Sequence, residues 1–142
     1  MSEPTRRLLE PLKPRHDFTR SFPEWRHGGD PATRARWRTA CKKHPPVVHP
    51  VIRTHPVGGT KALFVNESFI ARIVGLSDRE SASILEFLYD HIGRQEFTVR
   101  WRWKADDLVA WDNRSTQHYA VNDYSPHRRI MHRATVQGHR PY

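Results

Sequence analysis

The stretch that decides the fold covers residues 111–135 and reads WDNRSTQHYAVNDYSPHRRIMHRAT. Its first ten residues are typical of a polar loop, whereas its last eight have the alternation of a strand. On such a strand Arg129 and Arg133 share one face, about 13 Å apart at about 3.3 Å per residue. Ile130 and Ala134 make the opposite face apolar. This pattern predicts an anion-binding surface, because a guanidinium that is covered needs a negative partner.

The residues outside this stretch predict both strands and helices. Period-two alternation predicts strands at 97–104, 108–111 and 128–136. A helix is predicted between Ser77 and Gly93, because Ser77 and Glu80 have capping-box spacing and Gly93 offers a left-handed stop. A hairpin is predicted from residues 47–54 and 61–65. Together these elements predict a β-rich α+β fold of the antiparallel sandwich or jelly-roll type, with helices packed outside.

The first third of the chain is rich in proline and polar residues. Prolines at positions 4, 11 and 14 predict that residues 1–15 form a poorly ordered N-terminal segment. Residues 18–30 predict a loop, and residues 31–43 predict a basic helix that ends before Pro45. We therefore expect a single, partial domain at residues 16–142.

Charge and composition narrow the classes of partner. The net charge is +9, but the basic residues are spread through every segment, and no zinc-finger, RNP or basic-zipper pattern occurs. We therefore expect no nucleic-acid partner. The sequence has no apolar run that could span a bilayer and no signal-peptide pattern, so we expect no membrane partner and a cytoplasmic location. The single cysteine, Cys41, excludes an internal disulfide and a thiolate-rich zinc site.

The motif at residues 111–135 resembles the C-terminal signature of the taurine dioxygenase (TauD/TfdA) family of Fe(II)/2-oxoglutarate-dependent dioxygenases. The likeness runs from about His16 to the C-terminus and includes SFPE at 21–24 and FVNE at 64–67. It implies the C-terminal part of a double-stranded β-helix, the jelly roll of this family, in an incomplete form.

The resemblance implies roles for five residues. His118 matches the distal histidine ligand of the iron, Arg129 matches the partner of the far carboxylate of 2-oxoglutarate, and Arg133 matches the residue that binds the substrate sulfonate. Phe22 and Phe69 match aromatic positions of the substrate pocket. The implied reaction hydroxylates a sulfonate such as taurine and releases sulfite and an aldehyde, while 2-oxoglutarate becomes succinate and carbon dioxide.

The other iron ligands of the family pattern are not found in this sequence. In the family two histidines and one carboxylate hold the iron, and the first histidine and the carboxylate come as H-x-D or H-x-E. No histidine here has Asp or Glu two residues later. His49 and His55 could approach His118, but imidazoles without a carboxylate suit iron poorly.

Three interpretations of the function stay open at this point. In the first, which we favour, the chain is a C-terminal dioxygenase fragment that is inactive alone. In the second it is a half-enzyme completed by an N-terminal half on another chain or by a homo-oligomer, because half a jelly roll leaves open sheet edges. In the third it is a non-catalytic module that binds anions through its arginines.

Overall fold

The structure, a computed structural model, describes residues 1–27 and 29–138. The end of the predicted domain, residues 139–142, lies outside this described part. The regular elements follow in the order α1 (Glu3–Leu9), β1 (Pro14–His16), α2 (Phe18–Ser21), α3 (Glu24–His27), α4 (Pro31–Lys43), β2 (Val47–Val48), β3 (Ile52–Thr54), β4 (Lys61–Leu63), β5 (Ile70–Ile73), α5 (Asp78–Ile92) and a 3-10 turn (Gln95–Phe97). The mixed character is as predicted, but more of the described residues lie in helices than in strands, so the expected excess of strand is wrong.

The strands form two small antiparallel sheets. β1 is the central strand of the larger sheet, whose order is β2-β1-β5, and Arg15 pairs with Val48 on one side and with Arg72 on the other. β3 and β4 form a separate hairpin in which Arg53 pairs with Ala62. The hairpin prediction is therefore confirmed for β3 and β4 only. Residues 47–48 pair with β1 instead, because Pro50 cannot donate to a ladder and separates β2 from β3.

The long helix α5 begins at the predicted capping box. The Ser77 hydroxyl accepts from the Glu80 backbone N–H, and the Glu80 carboxylate accepts from the Ser77 N–H. Gly93 ends the helix with φ −74°, so the predicted left-handed stop is wrong. One face of α5 packs on β5, where the buried Ser81 hydroxyl accepts from the Ile73 N–H at 2.8 Å.

The N-terminal fifteen residues are tied to the core, contrary to the expectation of a poorly ordered segment. Leu9 is only 1 % exposed and belongs to the core cluster. The carbonyl of Leu12 accepts from the Val51 N–H at 3.0 Å, and Lys61 forms an ion pair with Glu10. The prolines therefore do not prevent this segment from being ordered. Pro4 lies in the first turn of α1, where the missing N–H has no hydrogen-bond partner to lose. The core consists of Leu9, Val51, Val65, Ile70, Ile73, Leu85 and Leu88.

The short segment 18–30 was expected to be a loop, but it contains α2 and α3. The Asp17 side chain caps α2 by accepting from the Thr19 N–H, and Asp30 caps α4 in the same way through the Thr33 N–H. The predicted helix at residues 31–43 is confirmed as α4.

The described C-terminal residues 98–138 contain no helix and no strand. The strands predicted at 97–104, 108–111 and 128–136 are therefore wrong for this chain. Val99, Leu108 and Val136 are each more than 90 % exposed. The physical reason is that alternation suits a residue to a sheet, while the ladder itself needs a paired strand, and none of the ladders in the described structure includes these segments.

Candidate functional site

The polar loop that precedes His118 is folded around Asp112. Its carboxylate accepts from the Arg114 backbone N–H at 2.9 Å and from the Arg114 side-chain nitrogens Nε and Nη2. Its carbonyl accepts from the N–H groups of Ser115 and Thr116 at 3.1 and 3.0 Å. The bonds from Arg114, and then the bond from His55, hold the pKa of the Asp112 carboxyl well below its ordinary value. Residues 112–116 thus form a compact turn centred on a charged carboxylate.

This loop is attached at two points, to the turn of the β3–β4 hairpin and to the residues that follow β4. His55 Nε2 lies 3.0 Å from Asp112 Oδ2. The Gln117 side chain donates to the carbonyl of Val65 at 2.5 Å and accepts from the Asn66 amide at 3.1 Å. The two contacts hold a loop without secondary structure against the ordered part of the chain.

Asn66 also shapes the turn that carries Phe69. Its carbonyl accepts from the Phe69 and Ile70 N–H groups at 3.2 and 3.0 Å, and its side-chain oxygen accepts from the Ser68 N–H at 2.9 Å. Because the same side chain donates to Gln117, the turn bearing Phe69 and the loop bearing His118 meet at one asparagine.

The two predicted aromatic pocket residues lie near each other. The rings of Phe22 and Phe69 have centroids 6.4 Å apart. The Ser21 hydroxyl donates to the Ser68 carbonyl at 2.7 Å, which joins α2 to the turn before Phe69. Phe22 also stacks on Phe18 at 4.7 Å. The pair is therefore built by contacts between segments almost fifty residues apart in the sequence.

The other three predicted residues are less enclosed. His118 is exposed, and its ring centroid lies 5.0 Å from that of Trp111. Arg129 is half-buried with its guanidinium 5.7 Å from the Tyr124 ring centroid, and Arg133 is exposed. Residues 128–136 are not a strand here, so the ladder on which the same-face relation of the two arginines was predicted is not formed. Among the contacts of the described residues, none joins either arginine to His118.

Residues 1–135 match the family described as "Taurine catabolism dioxygenase TauD, TfdA family". The chain belongs to the TauD/TfdA family. The resemblance predicted from the motif is thus confirmed, and the match begins at residue 1 rather than near His16. The family is by name one of dioxygenases, a class of oxidoreductases, and the relatives it contains are named as alpha-ketoglutarate-dependent enzymes.

Several relatives of this TauD/TfdA-family chain act on sulfur compounds by name. An alpha-ketoglutarate-dependent sulfate ester dioxygenase of Pseudomonas putida is 39 % identical over 99 % of this chain and 47 % of the relative. An alpha-ketoglutarate-dependent sulfonate dioxygenase of Saccharomyces cerevisiae is 36 % identical over 91 % of this chain and 32 % of the relative. The crystal structure of a taurine dioxygenase from Burkholderia xenovorans, 33 % identical, superposes with a TM-score of 0.56 over 74 % of this chain and 30 % of that one. The chain spans less than half the length of these relatives.

Enzymes of the TauD/TfdA family use Fe(II) and 2-oxoglutarate. Within residues 1–27 and 29–138, no group of three or more His, Cys, Asp or Glu side chains could hold a metal ion. His55 binds Asp112, and the His49 ring lies 5.0 Å from that of His16, so neither is placed as a substitute ligand beside His118. The described residues therefore do not fit a complete iron site, because His118 supplies one ligand of the three that the family uses.

Sequence reasoning missed a cluster around the half-buried Phe64. His16 stacks on the Phe64 ring at 5.5 Å, His49 meets its edge at 5.6 Å, and the Arg53 guanidinium lies 5.1 Å from its centroid. Arg53 is 4 % exposed, and its Nε is enclosed with no hydrogen-bond partner in the described structure. Burial, and then the nearby His49, lower the pKa of His16 to about 4. The signal in the sequence was an arginine inside an apolar, β-branched segment.

In the part of the chain that the structure describes, none of the helices is long and apolar enough to cross a bilayer.

Proposed function

We propose that this chain is the part of a 2-oxoglutarate-dependent dioxygenase that supplies the distal iron-ligand histidine and two anion-binding arginines. The proposed substrate is an organic sulfonate such as taurine, which would be hydroxylated at the carbon bearing sulfur with release of sulfite. Family membership and the sulfonate dioxygenase relative from yeast, 36 % identical, support this assignment.

One observation carries the assignment to particular residues. Gln117, which directly precedes His118, is bonded to Val65 and to Asn66, and Asn66 shapes the turn that carries Phe69. The proposed iron ligand and a proposed substrate-pocket residue are therefore linked through two side chains. Phe22 joins the same group through its contact with Phe69.

The cosubstrate and the iron would supply the oxidising chemistry when bound. The side chains proposed for this chain would bind and orient the cosubstrate and the substrate. Arg129 would hold the far carboxylate of 2-oxoglutarate, and Arg133 would hold the sulfonate, since a guanidinium donates two parallel hydrogen bonds to either anion. Phe22 and Phe69 would cover the apolar part of the substrate and exclude water from it.

A sulfate ester is the second candidate substrate class. The Pseudomonas putida relative that matches 99 % of this chain is a sulfate ester dioxygenase by name. A sulfate ester and a sulfonate present the same three-oxygen anionic group, so Arg133 would bind both. The two classes differ in the atom that joins the sulfur, which lies on the side away from the guanidinium.

Binding by the labelled 142-residue chain tests the proposal. We expect 2-oxoglutarate to shift the Arg129 guanidinium resonance in NMR spectra, and Arg129→Gln to weaken binding by about tenfold or more, the effect of losing a charge-assisted pair. Arg128→Gln is the matched control, because it removes the same charge one residue away and should change affinity less than about twofold. Equal losses in both variants would show unspecific attraction and overturn the role of Arg129.

The substrate class is tested with the same chain. Taurine and an alkyl sulfate are titrated separately into the wild-type chain, Arg133→Gln and Arg128→Gln. We expect Arg133→Gln to weaken both ligands, and tighter binding of taurine by the wild-type chain would support the sulfonate over the sulfate ester. Tighter binding of the alkyl sulfate would reject taurine as the preferred class.

A further inference from the structure

The contact between His55 and Asp112 joins two parts of the chain that are 57 residues apart. His55 follows directly after β3, and its side chain is 13 % exposed. Its backbone is held in the hairpin connection, since its N–H donates to the Thr60 carbonyl at 2.8 Å and its carbonyl accepts from the Gly59 N–H at 2.9 Å. The imidazole therefore projects from an ordered turn.

The hydrogen bonds of the ring assign its tautomer. Nδ1 accepts from the Gly58 N–H at 2.8 Å and lies 3.3 Å from the Val57 nitrogen, which also donates to it. A ring nitrogen that accepts carries no proton, so the neutral ring has its proton on Nε2. Nε2 therefore donates to the Asp112 carboxylate, and the ring connects the turn to the loop with one defined orientation.

Asp112 is also hydrogen-bonded to the residues that follow it. Its carboxylate and carbonyl hold the backbone of Arg114, Ser115 and Thr116, and the Arg114 side chain closes over the same carboxylate. His118 lies two residues beyond this turn. Apart from the Gln117 contacts, the bond from His55 is the described side-chain link between residues 112–118 and the ordered hairpin.

We infer that His55 is a positioning residue that acts through Asp112 to fix the loop carrying His118. The assignment of this loop to iron binding rests on the proposed function, whereas the attachment of the loop to the hairpin does not. The His55 ring is bonded to Asp112 and to the Gly58 N–H, so its role is that of a hydrogen-bonding residue and not of a substitute metal ligand. It holds the loop in place and is itself engaged at both ring nitrogens.

Two substitutions of His55 each keep one of the two hydrogen bonds that its ring forms and remove the other. In His55→Asn the amide oxygen is near the former Nδ1 position, so the contact with the Gly58 N–H is kept and the bond to Asp112 is lost. In His55→Gln the amide nitrogen reaches the former Nε2 position, so the bond to Asp112 is kept. Solvent exchange of the Arg114, Ser115 and Thr116 amides, measured by NMR without metal, reports the order of the loop.

We expect His55→Asn to speed exchange of these three amides by about tenfold, and His55→Gln to stay within about threefold of the wild-type chain. Asp112→Asn should speed exchange at least as much as His55→Asn. Amides of Leu85 and Leu88 in α5 should exchange at the wild-type rate in all variants, which would show that the fold is retained. Unchanged exchange in His55→Asn, with α5 intact, would overturn the inference.

A separate measurement keeps this result apart from the proposed function. Co(II) is added to the wild-type chain, and broadening of the His118 imidazole resonances is followed. No broadening would remove His118 as a metal ligand and overturn the proposed function, while the exchange comparison, made without metal, would still decide the role of His55. Broadening that is weakened in His55→Asn and kept in His55→Gln would support both.

Discussion

The imidazole of His16 is stacked on the ring of Phe64, with centroids 5.5 Å apart and planes inclined by 25°. Its Nε2 is enclosed and has no hydrogen-bond partner in the described structure. An imidazole in this position is favoured when it is neutral, because a charge there would be poorly solvated. Burial first, and His49 second, therefore lower the pKa of His16 to about 4.

This lowered pKa predicts a loss of stability in mild acid. Above about pH 6.5 His16 is neutral in both the folded and the unfolded chain. Between pH 6.5 and pH 4 the unfolded chain takes up a proton that the folded chain does not, so the free energy of unfolding falls as the pH falls. We expect about 1–2 kcal/mol over this range, after discounting for solvent screening, in denaturant titrations at a series of pH values.

The control variant for this prediction keeps an aromatic ring at position 16 but removes the titratable imidazole. His16→Phe should flatten the stability profile between pH 6.5 and pH 4, and His44→Phe, at an exposed histidine, should leave the wild-type slope in place. A wild-type slope in His16→Phe would show that another group causes the loss.

The burial of Arg53 predicts that its replacement by an apolar residue stabilises the fold. Its guanidinium is buried on Phe64 with Nε lacking a hydrogen-bond partner, and no ion pair in the described structure involves it. Replacement of such a charge by an apolar side chain of similar length is often stabilising. We expect Arg53→Met to raise the free energy of unfolding by about 1 kcal/mol in urea titrations. Arg72→Met, at an exposed position of β5, should change it by less than about 0.5 kcal/mol.

The opposite outcome for Arg53 would also be informative. A fall of more than about 1 kcal/mol in Arg53→Met would contradict the prediction and indicate an anionic partner for this guanidinium.

The capping box predicts that loss of the Ser77 hydroxyl at the start of α5 lowers the free energy of unfolding. Ser77→Ala removes the acceptor for the Glu80 N–H, so we expect the free energy of unfolding to fall by about 1 kcal/mol. Ser83→Ala is the matched control, since the Ser83 hydroxyl bonds back to the Arg79 carbonyl within the helix and contributes little. Equal effects in thermal unfolding would argue against a capping role for Ser77.

The incomplete ligand set predicts the behaviour of the chain with iron. We expect the purified 142-residue chain to bind Fe(II) weakly and to form no succinate from 2-oxoglutarate with taurine, because the described residues offer one of three ligands. Anaerobic titration and succinate analysis check this, and His118→Ala should abolish the residual binding. Sustained turnover by the pure chain would contradict the expectation.

The sequence by itself determined the family and a few of the local elements. The motif at residues 111–135 was specific enough to give the TauD/TfdA family, and the S-x-x-E spacing at Ser77 fixed the start of α5. Both signals are local, since a capping box needs only neighbours within one turn. The β3–β4 hairpin was readable for the same reason, because a turn lay between two short apolar runs.

Only the tertiary structure decided which distant side chains meet. Alternation in residues 97–136 predicted strands, yet none of the ladders in the described structure includes these residues, and a strand depends on such pairing. Leu9 lies in the core although prolines occur on both sides of it, because burial of its apolar side chain stabilises the segment. The links His55–Asp112 and Asn66–Gln117 span more than fifty residues, and no local pattern encodes them. The residue types of the site were therefore set by the sequence, and their placement was set by long-range packing and hydrogen bonds.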